Sequence, residues 1–476
     1  MQITNFRQLA TRSAMLLSMG LMVGACDKAV NVEPTNQVSS DKGFSTKEDA
    51  AAGLLGAYDA VQATDYQGLA FSTITDLISG DIRHVGTFVT TYGVIGINQV
   101  APDNIQVGNT WTAIYAAISR ANYLLQQSEK ITDPAFPKLT TQGEARALRA
   151  YHYINLLSLW GGSPQGYGYA GGVGVPLRLT PTTAIGPETA AIPRSSEADI
   201  ATAIRADLDF AIANLPTGSS SNRLTKNSAL VLRARFELLE RNYADALRFA
   251  QQVPTLAGFA TSANTGTTAP DAMWSLFFSN TDQSQYAFFW YPAPGGRNEF
   301  DPGSSIAAAH PAGDRRLPIN VVATATTAVV AGVPYTFAAG TTQKYYRTST
   351  RDDRPNLVRY AEVVLTIAEA AAQTGDLATA RTQLDIIRTR AGLAPTAATA
   401  TASAIIADIL LQRRLEFAYE GLYWFDLRRT NRVQSVLGTT PPAAPNAYNQ
   451  TFRNLFPIPF RETSLTNNLI AQNNGY

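Results

Sequence analysis

Residues 413–429 read RRLEFAYEGLYWFDLRR, a run in which arginines, carboxylates and aromatic rings lie almost side by side. Glu416 and Glu420 stand four apart, so on a helix they share a face. Upstream, Glu362 and Glu369 are seven apart and share a face in the same way. Two carboxylates flanking a sugar could perform acid–base work on a glycosidic bond. Here, however, Arg359, Arg388, Arg390, Arg413, Arg414, Arg428 and Arg429 accompany them. A carboxylate bound to arginine has its pKa pulled down, the wrong direction for a general acid. The pattern therefore predicts ion pairs that tie the last helices to the core.

Outward from that run, helical periodicity dominates. Residues 47–62, 111–127, 144–160 and 197–215 carry apolar side chains at helical spacing. Ser45 or Thr46 is a plausible N-cap for the first, and Pro216 ends the last. Two later segments look like copies of one unit: Ala234, Tyr243, Ala246 and Ala250 match Ala368, Leu377, Ala380 and Leu384 at identical offsets. Small residues at facing positions allow close helix packing, and a helix–turn–helix of this size resembles a tetratricopeptide unit. The copies are too far apart for a simple tandem array. Between the helices, residues 72–110, 161–196, 255–343 and 392–404 are rich in Gly, Pro, Ser, Thr and Asn. Loops this long are uncommon in a compact domain unless they are functional. Segment 321–340, Val/Thr-rich and broken at Gly332 and Gly340, reads as a short hairpin. The expected fold is mostly α: tetratricopeptide-like helical pairs with long irregular insertions and a few short strands.

At the other end, Arg7 and Arg12 precede an apolar run, AMLLSMGLMVGA, that stops at Cys26. A basic region, a short apolar stretch and small residues before a cleavage point describe a secretory signal. The run is shorter than the roughly 20 apolar residues a membrane span needs. VGAC at 23–26 resembles a bacterial lipobox, and Cys26 is the only cysteine of the chain. It can serve neither a disulfide nor a thiolate metal site, which points to lipidation and an anchor in a membrane. Residues 1–25 are thus read as the signal, 26–45 as a lipidated tether, and 46–476 as a single domain. The net charge of +1 across 476 residues leaves no basic footprint for nucleic acid.

Several short motifs resemble those of the SusD/RagB family of outer-membrane nutrient-binding lipoproteins. They are GEARALRAYHY at 143–153 leading to LWGGSP at 159–164, GVPL at 174–177 and PRSS at 193–196. RYAE at 359–362 with AEA at 368–370, IRTRAG at 387–392, the opening 413–429 run, PIP at 457–459 and QNNGY at 472–476 continue in the family's order. Asn474 replaces the usual proline, and Asn468 stands where "NP" is common. The resemblance implies a surface lipoprotein that binds glycans, or in some systems peptides, without chemical change. It implies as well a SusC-like TonB-dependent transporter as partner, and a location at the outer membrane.

No enzyme signature competes with that reading. GYGYAG at 166–171 satisfies G-x-G-x-x-G, but the following GVGVP cannot start a helix aimed at a phosphate. Three scattered histidines, His84, His152 and His310, make a His-based metal site improbable, and no cofactor is expected. A surface glycoside hydrolase and a helical-repeat interaction scaffold are the alternatives. What remains is aromatic loop surface, because sugar C–H faces stack on rings while hydroxyls seek polar side chains. The first candidate is the 286–298 stretch, where Tyr286, Phe288, Phe289, Trp290 and Tyr291 cluster. As a strand, its alternation would bury Phe289 and Tyr291, or Phe288 and Trp290, but not both pairs. Trp290 and Tyr291 are the rings expected to bind, with Arg297 and Asn298 as donors. The second is the loop after Asp76, with Asp81, Arg83, His84, Phe88, Tyr92 and Asn98; from it Arg83 and Tyr92 complete the expected ligand-binding set.

Overall fold

Thr46 opens the first helix, α1 (Lys47–Gln62), with a capping box in which its hydroxyl accepts from the Asp49 N–H and the Asp49 carboxylate accepts from its own N–H. Such a cap is worth about 1 kcal/mol. The computed structural model describes residues 44–183, 186–218, 221–262, 269–330, 332–438 and 447–476. The signal-like segment, Cys26 and the tether up to residue 43 lie outside the described residues.

Next come α2 (Ala70–Ser79), β1 (Ile82–His84), α3 (Ile105–Ser128), α4 (Lys138–Trp160), α5 (Glu197–Asn214), α6 (Lys226–Leu239) and α7 (Tyr243–Ala250). The middle of the chain supplies β2 (Ala272–Ser275), the single turn α8 (Tyr286–Trp290), β3 (Phe300–Pro302), β4 (Thr326–Val330), β5 (Val333–Phe337) and β6 (Asn356–Arg359). The last third is α9 (Tyr360–Gln373), α10 (Leu377–Arg390), α11 (Ala402–Glu416), α12 (Tyr423–Arg429) and α13 (Phe460–Leu465). The strands form three antiparallel pairs, β1–β3, β2–β6 and β4–β5. The last is the hairpin expected at 321–340. Helix α3 begins before 111, capped by Asn104, whose side chain accepts from the Val107 N–H, and α4 begins before 144.

The expectation of loop from residue 72 is corrected by α2, every residue of which is buried. Its Ser and Thr side chains suggested a loop. Instead their hydroxyls donate back to carbonyls of the same helix, Ser72 to Leu69, Thr75 to Phe71 and Ser79 to Asp76. Local satisfaction of this kind lets polar residues enter a core.

The two similar units are alike down to the turn. In α6–α7 the Arg241 N–H donates to the Leu238 carbonyl and the Asn242 N–H to Glu237; in α9–α10 Gly375 donates to Ala372 and Asp376 to Ala371. Asn242 and Asp376 are both N-caps, accepting from Asp245 and Thr379. The middle residue of each turn is left-handed, at φ +59° for Arg241 and +93° for Gly375. Ala234, Ala246, Ala368 and Ala380 are all buried, and α7 packs on α9, where Ala246 clusters with Ala370 and Leu238.

Charge then ties this scaffold to the loops. Glu416 accepts from Arg390 at 2.7 Å and Arg359 at 3.1 Å, with Arg316 3.4 Å from its other oxygen. Burial alone would raise the Glu416 carboxyl, but Arg390, Arg359 and Arg316 outweigh it and hold it well below the usual range. Glu420 takes bonds from Lys344 and Arg359, while Arg429 forks onto Glu369 at 2.5 and 2.7 Å. Three of the anticipated arginines go elsewhere. Arg388 pairs with Asp408 and Arg414 with Asp81, and Arg428 donates to the carbonyls of Ser158, Gly161 and Ser163. The partner of Glu362 is Arg235 on α6, at 2.6 Å from each oxygen. Gly421 closes the region: at φ +76° its N–H donates to Asp76, and a Cβ would lie 2.9 Å from the Ser72 Cα.

Candidate ligand-binding site

The two candidate loops, about 200 residues apart along the chain, meet in space. β1 and β3 pair antiparallel, setting Arg83 opposite Asp301 and His84 opposite Phe300. Arg83 and Asp301 close an ion pair of 2.5 Å at the rim, where Arg83 is exposed. Beneath it Glu299 is buried and organises the loop after β1. It accepts from the Thr87 and Phe88 N–H groups, the Thr87 hydroxyl and His84, with Arg297 2.8 Å away. Burial pushes the Glu299 carboxyl up, but these donors and Arg297 prevail, leaving it below its ordinary value. Gly86 permits the arrangement, since a Cβ there would come within 2.2 Å of the Glu299 carboxylate.

The rings sort differently from expectation. Residues 286–291 form a helical turn rather than a strand, so Tyr286, Ala287, Trp290 and Tyr291 point inward together at helical spacing. Trp290 is 2% exposed and packs on Tyr345 and Tyr419. Tyr291 is buried and donates its hydroxyl to the Thr342 carbonyl. Tyr92 is buried too, donating to Gln106. The expectation that these three rings offer stacking faces is corrected: each faces protein. Asp81 and Asn98 are likewise buried.

The same turn leaves Phe288 and Phe289 half-exposed. Phe289 stacks on Phe88 of the other loop at 6.3 Å, interplanar angle 23°. Arg297 is exposed and lies 4.2 Å over the Phe88 ring, and Arg351 lies 4.2 Å over Phe288. Asn298, at φ +50°, donates its N–H to the Tyr291 carbonyl and is half-buried. The outcome is a ledge of three phenylalanine rings flanked by two guanidinium groups, with Arg83 and Asp301 at its margin. Reading 286–291 with period 3.6 instead of 2 would have found Phe288 and Phe289. Nothing in the sequence pointed to Arg351, which is brought in by the chain that follows the β4–β5 hairpin.

Apolar ring edges with guanidinium donors can hold a polyhydroxylated ligand by stacking and hydrogen bonding. Helical pairs that present such a ledge on inserted loops define a class of non-covalent binding protein. Comparison makes the class particular. Residues 327–476 match the model described as the SusD family, and residues 31–238 match one described as starch-binding associating with outer membrane. SusD-like protein P38 of Formosa agariphila is 26% identical over 91% of this chain and 93% of its own length. A SusD superfamily protein from Bacteroides vulgatus has a TM-score of 0.75 at 19% identity, covering 90% of this chain and 99% of that one. A laminarin-binding SusD-like protein has a TM-score of 0.69 at 21% identity, covering 91% and 100%. The chain belongs to the SusD/RagB family.

Proposed function

We propose that this protein binds a nutrient glycan at the cell surface and passes it, chemically unchanged, to a SusC-like TonB-dependent transporter in the outer membrane. The observation that carries the reading is the joining of two loops by β1–β3 into one half-exposed ledge of Phe88, Phe288 and Phe289 with Arg297 and Arg351. The family's description as starch-binding and the name of the laminarin-binding relative support a glycan as the ligand. The lipobox-like segment ending at Cys26 supports a lipid anchor. A hydrolase reading finds no support in the carboxylates of the C-terminal helices, because Glu362, Glu369, Glu416 and Glu420 are all buried in arginine or lysine pairs. The alanine positions that a repeat scaffold would offer a partner are buried within the domain.

Two measurements test the proposal. Calorimetric titration against a panel of glycans should find a ligand whose affinity falls several-fold in Arg297→Ala and Phe288→Ala, with both variants still folded by circular dichroism. Affinity purification from native membranes in mild detergent should recover a TonB-dependent barrel in near-equal amount. Normal binding by both variants would remove the ledge, and recovery of the protein alone across growth substrates would remove the partner.

A further inference from the structure

A second concave surface lies along α3. A cavity of about 340 Å³ is lined by Trp111, Tyr115, Asn122, Arg178 and Glu462, and a neighbouring one of about 480 Å³ by Tyr123 and Phe44. Both cavities are lined by Ser119 and Thr182, so they are two halves of one groove. Rings run its length. Tyr115, Tyr123 and Phe44 are half-exposed; Tyr115 is backed by the buried Trp111 at 4.9 Å, and Tyr123 meets Phe44 edge-on at 5.4 Å. From Tyr115 to Tyr123 the helix rises about 12 Å, at 1.5 Å per residue.

The wall opposite α3 is fixed in place. Asn122 donates to the carbonyls of Arg178 and Thr180, the Tyr115 hydroxyl to that of Pro176, and the Arg178 guanidinium to those of Glu188 and Ala190. A wall held by its own hydrogen bonds is already shaped before a ligand arrives. Two polar groups are left over, a carboxylate that accepts and a hydroxyl that can donate or accept. Glu462, on α13, is half-buried; among the described residues its carboxylate has no hydrogen bond and no close ion pair, and Arg461 and Arg178 act on it only from farther off. Ser119 likewise keeps its hydroxyl free at the junction of the two halves.

Ring walls beside an unsatisfied carboxylate suit a ligand with apolar C–H faces and hydroxyl donors, because a carboxylate accepts strongly from hydroxyl groups. The Arg178 guanidinium in the same cavity is committed to the Glu188 and Ala190 carbonyls, so the carboxylate is the charge left to meet a ligand, and it disfavours uronate or sulfate groups. We propose that the α3 groove is a second glycan-binding site, taking a neutral oligosaccharide with Glu462 as its principal acceptor. The proposal rests on the glycan-binding reading above but concerns a different surface from the ledge.

The test is calorimetric titration of the purified mature protein with maltohexaose and with laminarihexaose. Three variants are compared: Ser119→Trp, which fills the junction; Glu462→Gln, which removes the charge without changing shape; and Arg297→Ala/Phe288→Ala, which strips the ledge. The groove predicts a binding event that survives the ledge variant, is lost in Ser119→Trp and weakens at least five-fold in Glu462→Gln. Glu462→Gln keeps the test decisive should Ser119→Trp misfold. Binding abolished by the ledge variant and unaffected by Glu462→Gln would overturn the groove while leaving the ledge reading intact. Absence of binding to either hexasaccharide would overturn the groove; only a blank result across a wider glycan panel would also remove the glycan reading.

Discussion

Replacing Glu416 by glutamine tests the assignment of the C-terminal carboxylates to structure rather than catalysis. The side chain keeps its shape and loses its charge inside a cluster of three guanidinium groups. Two of these retain good partners: Arg359 keeps Asp271 at 3.2 Å and Glu420 at 2.9 Å, and Arg316 keeps Asp314 at 2.8 Å. Arg390 does not. It is left with the Ser262 carbonyl at 2.7 Å and Asp271 at 4.0 Å. Breaking a buried pair costs about 3–5 kcal/mol; with one cation stranded out of three, the lower end applies, about 3 kcal/mol. An unfolding entropy of about 2.1 cal/mol/K per residue, taken over the whole chain, gives about 1 kcal/mol/K, so the melting temperature should fall by about 3 °C at pH 7. Because arginines depress the folded-state pKa of Glu416, its contribution is complete above the unfolded-state value of about 4.3. It is lost as pH falls through the lower folded-state value, so the gap between wild type and variant should close only on strong acidification. Scanning calorimetry at several pH values reads both effects. An unchanged melting temperature at pH 7, together with loss of function, would refute the structural assignment and return Glu416 to consideration as a reacting group.

Trp290→Ala should lower stability by about 3–5 kcal/mol through the cavity it leaves, visible in a thermal melt; a stable variant with lost glycan affinity would show the ring to be a binding face after all. Cys26→Ala should abolish lipid labelling and release the protein from the membrane fraction, so unchanged retention in that fraction would disprove the anchor. Glu420→Ala leaves Lys344 buried without its carboxylate, 2.8 Å away in the wild type, and should cost a few kcal/mol; a chemical denaturation curve matching wild type would contradict the pairing.

The sequence determined most of the long helices, the likeness of the two hairpins and the character of the C-terminal charge, because each is written in local residue order. The equal offsets of Ala234, Ala246 and Ala250 with Ala368, Ala380 and Leu384 already described two hairpins with one turn, and the structure gives both the same hydrogen bonds. Local composition misled where tertiary burial reversed it. The Ser and Thr residues of α2 bond to their own helix and vanish into the core, and the aromatic run at 286–291 turns helically, hiding Trp290 and exposing Phe288 and Phe289. Partner choice was decided only by the fold. Glu362 finds Arg235 and Arg414 finds Asp81 across long stretches of chain, since an ion pair needs proximity that no spacing rule encodes. For the same reason two loops that looked like rivals became one ledge: the pairing of β1 with β3 is a non-local contact, and only the folded chain could bring Phe88 onto Phe289.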